Sequence, residues 1–210
     1  MIEVKNQFAR HTIFWILLMP FLAIMLMPAL MNAQSLKLPK SEVQALRQLG
    51  QDPADVTRKA NAAFAELFVN TGFMTGVEKL FRAKANHGDP ASVRNSERIS
   101  QGYLTGMWHM LYRAIWRLVG LWPVLSVLLL AVILPAIIDG LVTRSTKLDQ
   151  FKPHNPVFFW GATHTAISTA GLFLFLPFLP VPLSVWMLYG VVLLVASSLW
   201  VTSSNLQTGN

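Results

Sequence analysis

The stretch that decides the fold is LVGLWPVLSVLLLAVILPAII, residues Leu118–Ile138, bounded by Arg117 and Asp139. It contains no charged side chain. A helix rises about 1.5 Å per residue, so about 20 apolar residues cross a hydrocarbon core of about 30 Å. The stretch therefore predicts a transmembrane helix, and the rest of the chain can be interpreted outward from it.

Three further apolar segments predict spans at residues 12–31, 157–179 and 183–201. The last two are separated by a hairpin containing Pro177, Pro180 and Pro182. A helix cannot continue through three closely spaced prolines. The alternative for this pair is a shallow re-entrant hairpin. The first segment could instead be a signal peptide cleaved after Ala33, but its apolar stretch is long for one, so a retained anchor is favoured.

The composition agrees with a membrane protein. Of the 210 residues, 53% are hydrophobic and 13% are charged, against about 25% charged in soluble domains. The charges crowd into Leu36–Arg117 and become scarce from Leu118 onward. The chain has no cysteine, which excludes disulfides and thiolate metal sites. The net charge of +7 is attributed to orientation and to anionic lipid, and direct nucleic-acid binding is not expected.

The short basic segments predict the orientation. Lys5 and Arg10 lie in the tail 1–11, and the loop 139–156 carries Arg144, Lys147 and Lys152, whereas the proline hairpin and the tail 202–210 carry no lysine or arginine. The positive-inside rule then places both termini and this loop on the cytoplasmic side of the membrane. The polar domain, residues 32–117, would then face the periplasm or the exterior.

The polar domain is predicted to be helical. Ser41 and Gly50 bracket a short helix, and Asp52-Pro53 is a typical helix start. A turn is expected at His87–Pro90, and a helix from near Ser92 is expected to run into the second span. Because no alternating strand pattern occurs, the predicted fold class is all-α, an integral membrane protein with about four transmembrane helices and this helical polar domain.

An aromatic and basic cluster precedes the second span, and its members are Trp108, Tyr112, Arg113, Trp116 and Arg117. Aromatic rings favour the headgroup region, and arginines can extend outward from it. The sequence therefore predicts interfacial anchors. Stacking on single-stranded nucleic acid is the alternative. The lipid interpretation is favoured because the cluster adjoins a span.

The residues that could carry chemistry form no catalytic motif. The five histidines are His11, His87, His109, His154 and His164. None has the spacing or acidic neighbours of a metal site, and no phosphate-binding glycine loop is present, so no enzyme, cofactor or metal is expected. His164 lies within a predicted span, where it could hydrogen-bond across helices or act functionally. Asp139-Gly140 is predicted to end the second span, and Asp139 could pair with Arg144 about one turn later or cap the following segment.

One region resembles a known family. It runs from Ile138-Asp139-Gly140-Leu141-Val142-Thr143-Arg144 through Phe151 to Pro156–His164. This pattern is similar to an inner-membrane protein family of integrating conjugative elements and large conjugative plasmids. The layout of one span, a polar helical region and three further spans is also similar. The loop here has Lys147 and Lys152 where the family has arginines.

The resemblance implies a role in conjugative DNA transfer beside a type IV secretion channel and its coupling ATPase. The expected function is a non-enzymatic scaffold or accessory component that contacts these proteins within the lipid bilayer, with self-association left open. Asp139, Arg144, Lys147, Lys152 and His164 are the candidate interaction residues. The alternatives are a small transporter or channel subunit using His164, and a regulatory or exclusion protein that binds a partner through the periplasmic domain.

Overall fold

The structure, a computed structural model, describes residues 8–81, 91–152 and 155–206. Every regular element in these ranges is helical, so the predicted all-α class is confirmed there. The α-helices are α1 (Phe8–Ile13), α2 (Met19–Leu30), α3 (Lys40–Gln48), α4 (Pro53–Phe64), α5 (Phe73–Phe81), α6 (Ala91–Leu128), α7 (Leu134–Asp149), α8 (Pro156–Phe175) and α9 (Val185–Ser204). Single π-helical turns occupy Phe14–Leu18, Ala65–Val69 and Leu129–Ile133, and a 3-10 turn follows at Leu176–Phe178.

Two helices among the described residues are long and apolar enough to cross a membrane. One is the continuous helix Asn95–Asp149, and the other is Val185–Ser204. Met19–Leu30 is apolar but shorter. Helix Asn95–Asp149 contains the predicted second span, and helix Val185–Ser204 overlaps the predicted fourth. The complete set of four spans remains a prediction.

The predicted loop at 139–156 is mostly helical. Helix α7 continues through Asp139-Gly140 and ends at Asp149, and α8 begins at Pro156. The Asp-Gly pair suggested a helix end, but Gly140 is buried inside a helix, where it allows a neighbouring helix to come close. The predicted turn at His87–Pro90 and the side chain of His154 lie outside the described residues.

The described residues fall into two compact units. Unit 1 takes its residues from Met1–Pro20, Pro123–Leu176 and Ser184–Asn210, and unit 2 from Phe21–Trp122 and Pro177–Leu183. Unit 2 therefore contains most of the predicted polar domain together with the proline hairpin. Each unit has its own interior.

Unit 2 is organised on helix α6. One core cluster joins α3, α4 and α6, and its buried members are Leu46, Val56, Ala60 and Trp116. A second cluster is built around Leu104, Met107 and Trp108 of the same helix. Phe64, Phe68 and Phe73 each present an edge or a tilted face toward these residues, with Trp108 within 6.4 Å of all three ring centroids. Edge-to-face contacts of this kind favour a fixed arrangement of rings.

Local sequence signals explain the ends of the short helices. The Asp52 carboxylate accepts a hydrogen bond from Ala54 N at 3.0 Å, with Pro53 at the first helical position. This confirms the predicted start of α4. Gly50 follows α3 with a φ of 76°, the left-handed conformation that glycine adopts most easily. This confirms the predicted end of α3.

Unit 1 is a bundle in which α9 packs against both α7 and α8, while α1 and the π turn Phe14–Leu18 pack against α8. Gly171 of α8 lies directly beneath Trp15, and a Cβ atom there would collide with that side chain. Gly161, at the other end of α8, has open space around it. Of these two glycines in α8, only Gly171 therefore serves close helix packing.

Candidate functional site

Unit 2 buries three charged side chains against one another. Arg113 and Arg117 lie four residues apart on α6 and so project from the same face. Glu42 lies in the first turn of α3, one turn before the core residue Leu46. The exposed fractions are 3% for Glu42, 2% for Arg113 and 1% for Arg117. We call these three residues the ion cluster.

The ion cluster is held by a bidentate contact between Arg117 and Glu42. Arg117 donates from Nε to Glu42 Oε2 at 3.0 Å and from Nη2 to Oε1 at 2.5 Å. Arg113 donates from Nη2 to the same Oε1 atom at 2.5 Å. A planar guanidinium matches a carboxylate in this way, whereas a lysine ammonium cannot. The cluster therefore fixes α3 on α6 with a defined orientation.

The arginines also bind the backbone of the proline hairpin. Arg117 Nη1 donates to the carbonyl oxygens of Pro177 at 3.1 Å and Leu179 at 2.6 Å, and its Nη2 donates to Val181 at 2.7 Å. Arg113 Nη1 donates to the carbonyl of Pro180 at 3.1 Å. A proline-rich segment has few N–H donors of its own, so its buried carbonyls need donors from elsewhere. Two arginines supply them.

Glu42 receives one further bond, from the backbone N–H of Leu183 at 3.2 Å. Burial alone would raise the pKa of the Glu42 carboxyl, but the hydrogen bonds and charges of Arg117 and Arg113 outweigh it and hold the pKa below its ordinary value. Glu42 is therefore ionised at neutral pH. The cluster contains two cations and one anion, and the hairpin carbonyl dipoles face the excess positive charge.

This arrangement suits holding a backbone in place. All three side chains are nearly inaccessible to solvent, and the bonded donors face carboxylate or carbonyl oxygens of the chain itself. Arg113 Nε is buried without a hydrogen-bond partner among the described residues. Among the described residues, no group of three or more His, Asp or Glu side chains is placed to share a metal ion. The contacts of the cluster are structural.

Four of the five predicted interfacial anchors are buried, and Tyr112 is half-buried. Trp108 is buried among phenylalanine rings. The Tyr112 hydroxyl donates to Asn61 Oδ1 at 2.7 Å, and Trp116 Nε1 donates to Thr57 Oγ1 at 3.0 Å. Arg113 and Arg117, expected to extend toward headgroups, point instead at Glu42. The spacing correctly placed these residues on a common region of one helix, but it did not identify their partners.

Glu42 is the functional residue that sequence reasoning missed. Its signal was weak: an acidic residue four positions before Leu46, on the apolar face of a short amphipathic helix. Two arginines at i and i+4 beside an apolar span need a counterion, and that need could have directed a search for a lone carboxylate. Glu42 and Arg117 lie 75 residues apart, so no local sequence pattern connects them.

The candidate interaction residues lie in unit 1, where Asp139 and Gly140 contact helix α9. Trp200 Nε1 donates to Asp139 Oδ2 at 2.7 Å. A Cβ atom on Gly140 would collide with Ser203 Oγ and would lie 2.8 Å from the Trp200 carbonyl oxygen. The Asp-Gly pair therefore joins α7 and α9 at close range. Asp139 bonds Trp200 across the helices, and among the described residues it makes no bond to Arg144.

Arg144 and Lys147 continue the same contact at the end of α9. Arg144 Nε donates to the Leu206 carbonyl at 2.9 Å, and Lys147 Nζ donates to the Ser204 carbonyl at 3.2 Å and to Asn205 Oδ1 at 3.3 Å. The last carbonyls of a helix lack partners within it and carry partial negative charge. Lys147 therefore caps α9, Arg144 binds the backbone just after it, and both cations are half-buried. Lys152, by contrast, is exposed in the turn after α7.

His164 lies on α8 beside a second histidine. Its ring is 5.0 Å from that of His11 between centroids, and it stacks on Trp160 at 6.2 Å. Its Nδ1 atom is buried without a hydrogen-bond partner among the described residues. His109, in unit 2, donates from Nδ1 to the Ala33 carbonyl at 3.0 Å. The structure thus brings Asp139, Arg144 and Lys147 together along α9, whereas His164 belongs to a separate contact with α1.

Comparison with known protein families supplies the identity. A family model described as "IncC plasmid conjugative DNA transfer protein DtrJ-like" matches residues 29–207. It covers both apolar helices, the ion cluster and all five candidate interaction residues, and it confirms the resemblance to a family of conjugative elements. No curated protein and no solved structure matches the chain. The family implies involvement in conjugative DNA transfer, and the chain belongs to the DtrJ-like family of conjugative DNA transfer proteins.

Proposed function

We propose that this protein is a non-enzymatic scaffold or accessory component of a conjugative DNA-transfer apparatus in the bacterial inner membrane. It acts through contacts with other proteins of the machine, such as the coupling ATPase or channel subunits. The observation that carries this proposal is the family match across residues 29–207. The geometry of the two units adds support for the membrane location and for a structural role.

The exposure of apolar side chains supports a membrane location. In the most apolar part of helix Asn95–Asp149 almost no residue is buried within the protein. Large apolar side chains point outward along it, including Trp122, Val127, Leu130 and Ile138. Exposure of so much apolar surface to water is unfavourable, whereas the lipid chains of a bilayer would cover it. The same reasoning applies to Trp186 and Leu193 of α9.

The ion cluster supports the proposed topology. With four spans, the domain at 32–117 and the proline hairpin must lie on the same side of the membrane. Arg113 and Arg117 belong to that domain, and they bind the hairpin carbonyls directly. This contact is compatible with both segments in the periplasm and both termini in the cytoplasm.

The use of charged residues favours a scaffold. Glu42, Arg113 and Arg117 hold unit 2 together, while Asp139, Arg144 and Lys147 hold α7 to α9. Buried polar networks with their partners in place fix one conformation. A protein that presents fixed surfaces to larger partners needs this kind of rigidity.

The direct test is cross-linking in cells that carry the complete transfer element. A photo-activatable residue at the exposed Leu80 of α5 would sample unit 2, and one at the exposed Leu206 after α9 would sample unit 1. We expect cross-links to the coupling ATPase or to channel subunits, identified by mass spectrometry. The matched control is the same variant expressed without the other transfer genes. Cross-links to the protein itself alone, in the complete system, would contradict the proposal.

A second candidate is a small channel or transporter subunit, and His164 is the observation that favours it. A histidine whose buried Nδ1 has no partner among the described residues, beside another histidine, could bind or pass a proton. Replacing His164 by asparagine tests this candidate, because asparagine keeps polarity but cannot be protonated. Wild-type transfer frequency in H164N would eliminate it.

A further inference from the structure

The turn after α7 holds a phenylalanine in an unfavourable backbone conformation. Phe151 has a φ of 52°, which places it in the left-handed region that side chains with a Cβ atom disfavour. Two hydrogen bonds close this turn: Phe151 N–H donates to Leu148 O at 3.0 Å, and Lys152 N–H donates to Lys147 O at 2.9 Å. This is the Schellman arrangement that ends many helices.

The same protein uses glycine in an identical turn. After α3, Gly50 N–H donates to Arg47 O at 3.0 Å and Gln51 N–H donates to Leu46 O at 3.2 Å, with Gly50 in the left-handed conformation. The two turns differ in the residue at the left-handed position. Glycine at position 151 would fit the turn without strain, so the benzyl side chain must have another use.

The Phe151 side chain contributes nothing to packing. It is 94% exposed, the largest exposed fraction of any large apolar side chain in the described residues. Leu148 before it and Val157 and Phe158 after it are also exposed. These four exposed apolar residues, which lie close along the chain on either side of the turn, are called here the Phe151 patch. An apolar patch of this kind at a turn marks an interaction surface.

Three cations lie close to Phe151 along the chain. Lys152 is exposed beside Phe151, and Arg144 and Lys147 precede it on α7. Asp149 is the one acidic residue between Arg144 and Lys152. In the part of the chain that the structure describes, no carboxylate pairs with these three cations; the two on α7 bind neutral carbonyl oxygens and Asn205. The region therefore keeps a positive charge.

We propose that the Phe151 patch inserts into the interfacial region of a bilayer and that Lys152, Lys147 and Arg144 attract anionic phospholipid headgroups. Exposed aromatic rings next to lysine and arginine are the combination that binds an anionic membrane surface. The patch also lies at the junction of α7, which ends an apolar helix, and α8. This inference rests on the proposed membrane location and adds a lipid class and a contact residue to it.

Since the chain has no cysteine, single-cysteine labelling can test this in the full-length protein. Phe151→Cys, Gln150→Cys and Leu130→Cys variants would each carry an environment-sensitive fluorophore. Each would be reconstituted into vesicles of phosphatidylcholine alone or with about a third phosphatidylglycerol. Quenching by lipid-attached nitroxide and by aqueous iodide then reports the depth of each label. Gln150 is the matched exposed neighbour, and Leu130 reports the apolar helix itself.

We expect the label at 151 to be quenched by nitroxide and protected from iodide at least threefold more than the label at 150, and more strongly in vesicles containing phosphatidylglycerol. Lys152→Gln in the Phe151→Cys background should reduce that difference between the two lipid compositions. Lipid quenching at 130 without protection at 151 would overturn this inference and leave the membrane location intact. Absence of lipid quenching at both sites would overturn both. Protection at 151 only in membranes containing the other transfer proteins would assign the patch to a protein partner instead.

Discussion

Arg117 holds both carboxylate oxygens of Glu42, one from Nε at 3.0 Å and the other from Nη2 at 2.5 Å. Both side chains are buried in unit 2. Removing either partner of such a pair leaves the other charge in an environment with little water, and this costs more than the pair itself contributes. The stability of unit 2 therefore depends on this contact.

Replacing Glu42 by glutamine should destabilise the protein by about 3–5 kcal/mol, because two buried arginines lose their counterion. Denaturant unfolding of the detergent-solubilised protein, followed by circular dichroism, measures this. Asp55→Asn is the matched control. Asp55 pairs with Arg58 and Lys59 at the surface, where ion pairs contribute little. Equal effects of the two substitutions would show that the ion cluster does not hold unit 2.

The ion cluster should also make stability depend on pH in the acid range. The pKa of Glu42 is lower in the folded protein than its ordinary value of 4.5. Its contribution is therefore complete above about pH 4.5 and is lost as the pH falls through the lower folded value. When unfolding is measured between pH 3 and pH 7, the denaturant midpoint of the wild type should decrease as the pH is lowered. The slope should be smaller in E42Q, and an identical slope would exclude Glu42 as its source.

Replacing Gly140 by alanine should separate α7 from α9, because the added Cβ atom would meet Ser203 and the Trp200 carbonyl. We expect a loss of about 1–3 kcal/mol, the usual cost of overpacking. Thermal unfolding in detergent is the measurement.

Gly161→Ala and Gly190→Ala are the matched controls, because a Cβ atom at either helical position meets nothing within 4 Å. Alanine favours a helix over glycine by up to about 1 kcal/mol, so both controls should be neutral or stabilising. A neutral result for G140A as well would mean that α7 and α9 are farther apart than described.

Phe151→Gly should stabilise the folded protein by about 1 kcal/mol, since glycine adopts the left-handed conformation without strain. The comparison is Gly50→Ala, the converse change in the equivalent turn, which should destabilise by a similar amount. Both are measured by thermal unfolding in a neutral detergent, where no anionic lipid is present. A loss of stability in F151G would show that the ring packs on the protein.

The sequence predicted elements whose signals are local. The cap at Asp52-Pro53, the glycine end of α3 and the continuation of α6 toward the apolar stretch all depend on neighbouring residues, and the structure has each of them. Phe151 is the exception. Its turn normally selects glycine or asparagine, so a phenylalanine there gave no signal of a helix end.

Long-range pairings could not be predicted. The arginines at 113 and 117 adjoin an apolar stretch, a setting shared by interfacial anchors and buried ion pairs. Only the position of Glu42, more than 70 residues away, distinguishes the two. The Asp139-Gly140 pair was ambiguous for a similar reason, because a glycine that ends a helix and one that admits a neighbouring helix look alike in one sequence.

The contact between the ion cluster and the hairpin has a consequence for how the family can evolve. Arg113 and Arg117 recognise carbonyl oxygens of Pro177–Val181, which every amino acid possesses. Side chains of the hairpin can therefore change among relatives without loss of the contact. Glu42, Arg113 and Arg117 have no such freedom, and we expect them to be inherited or lost as a set.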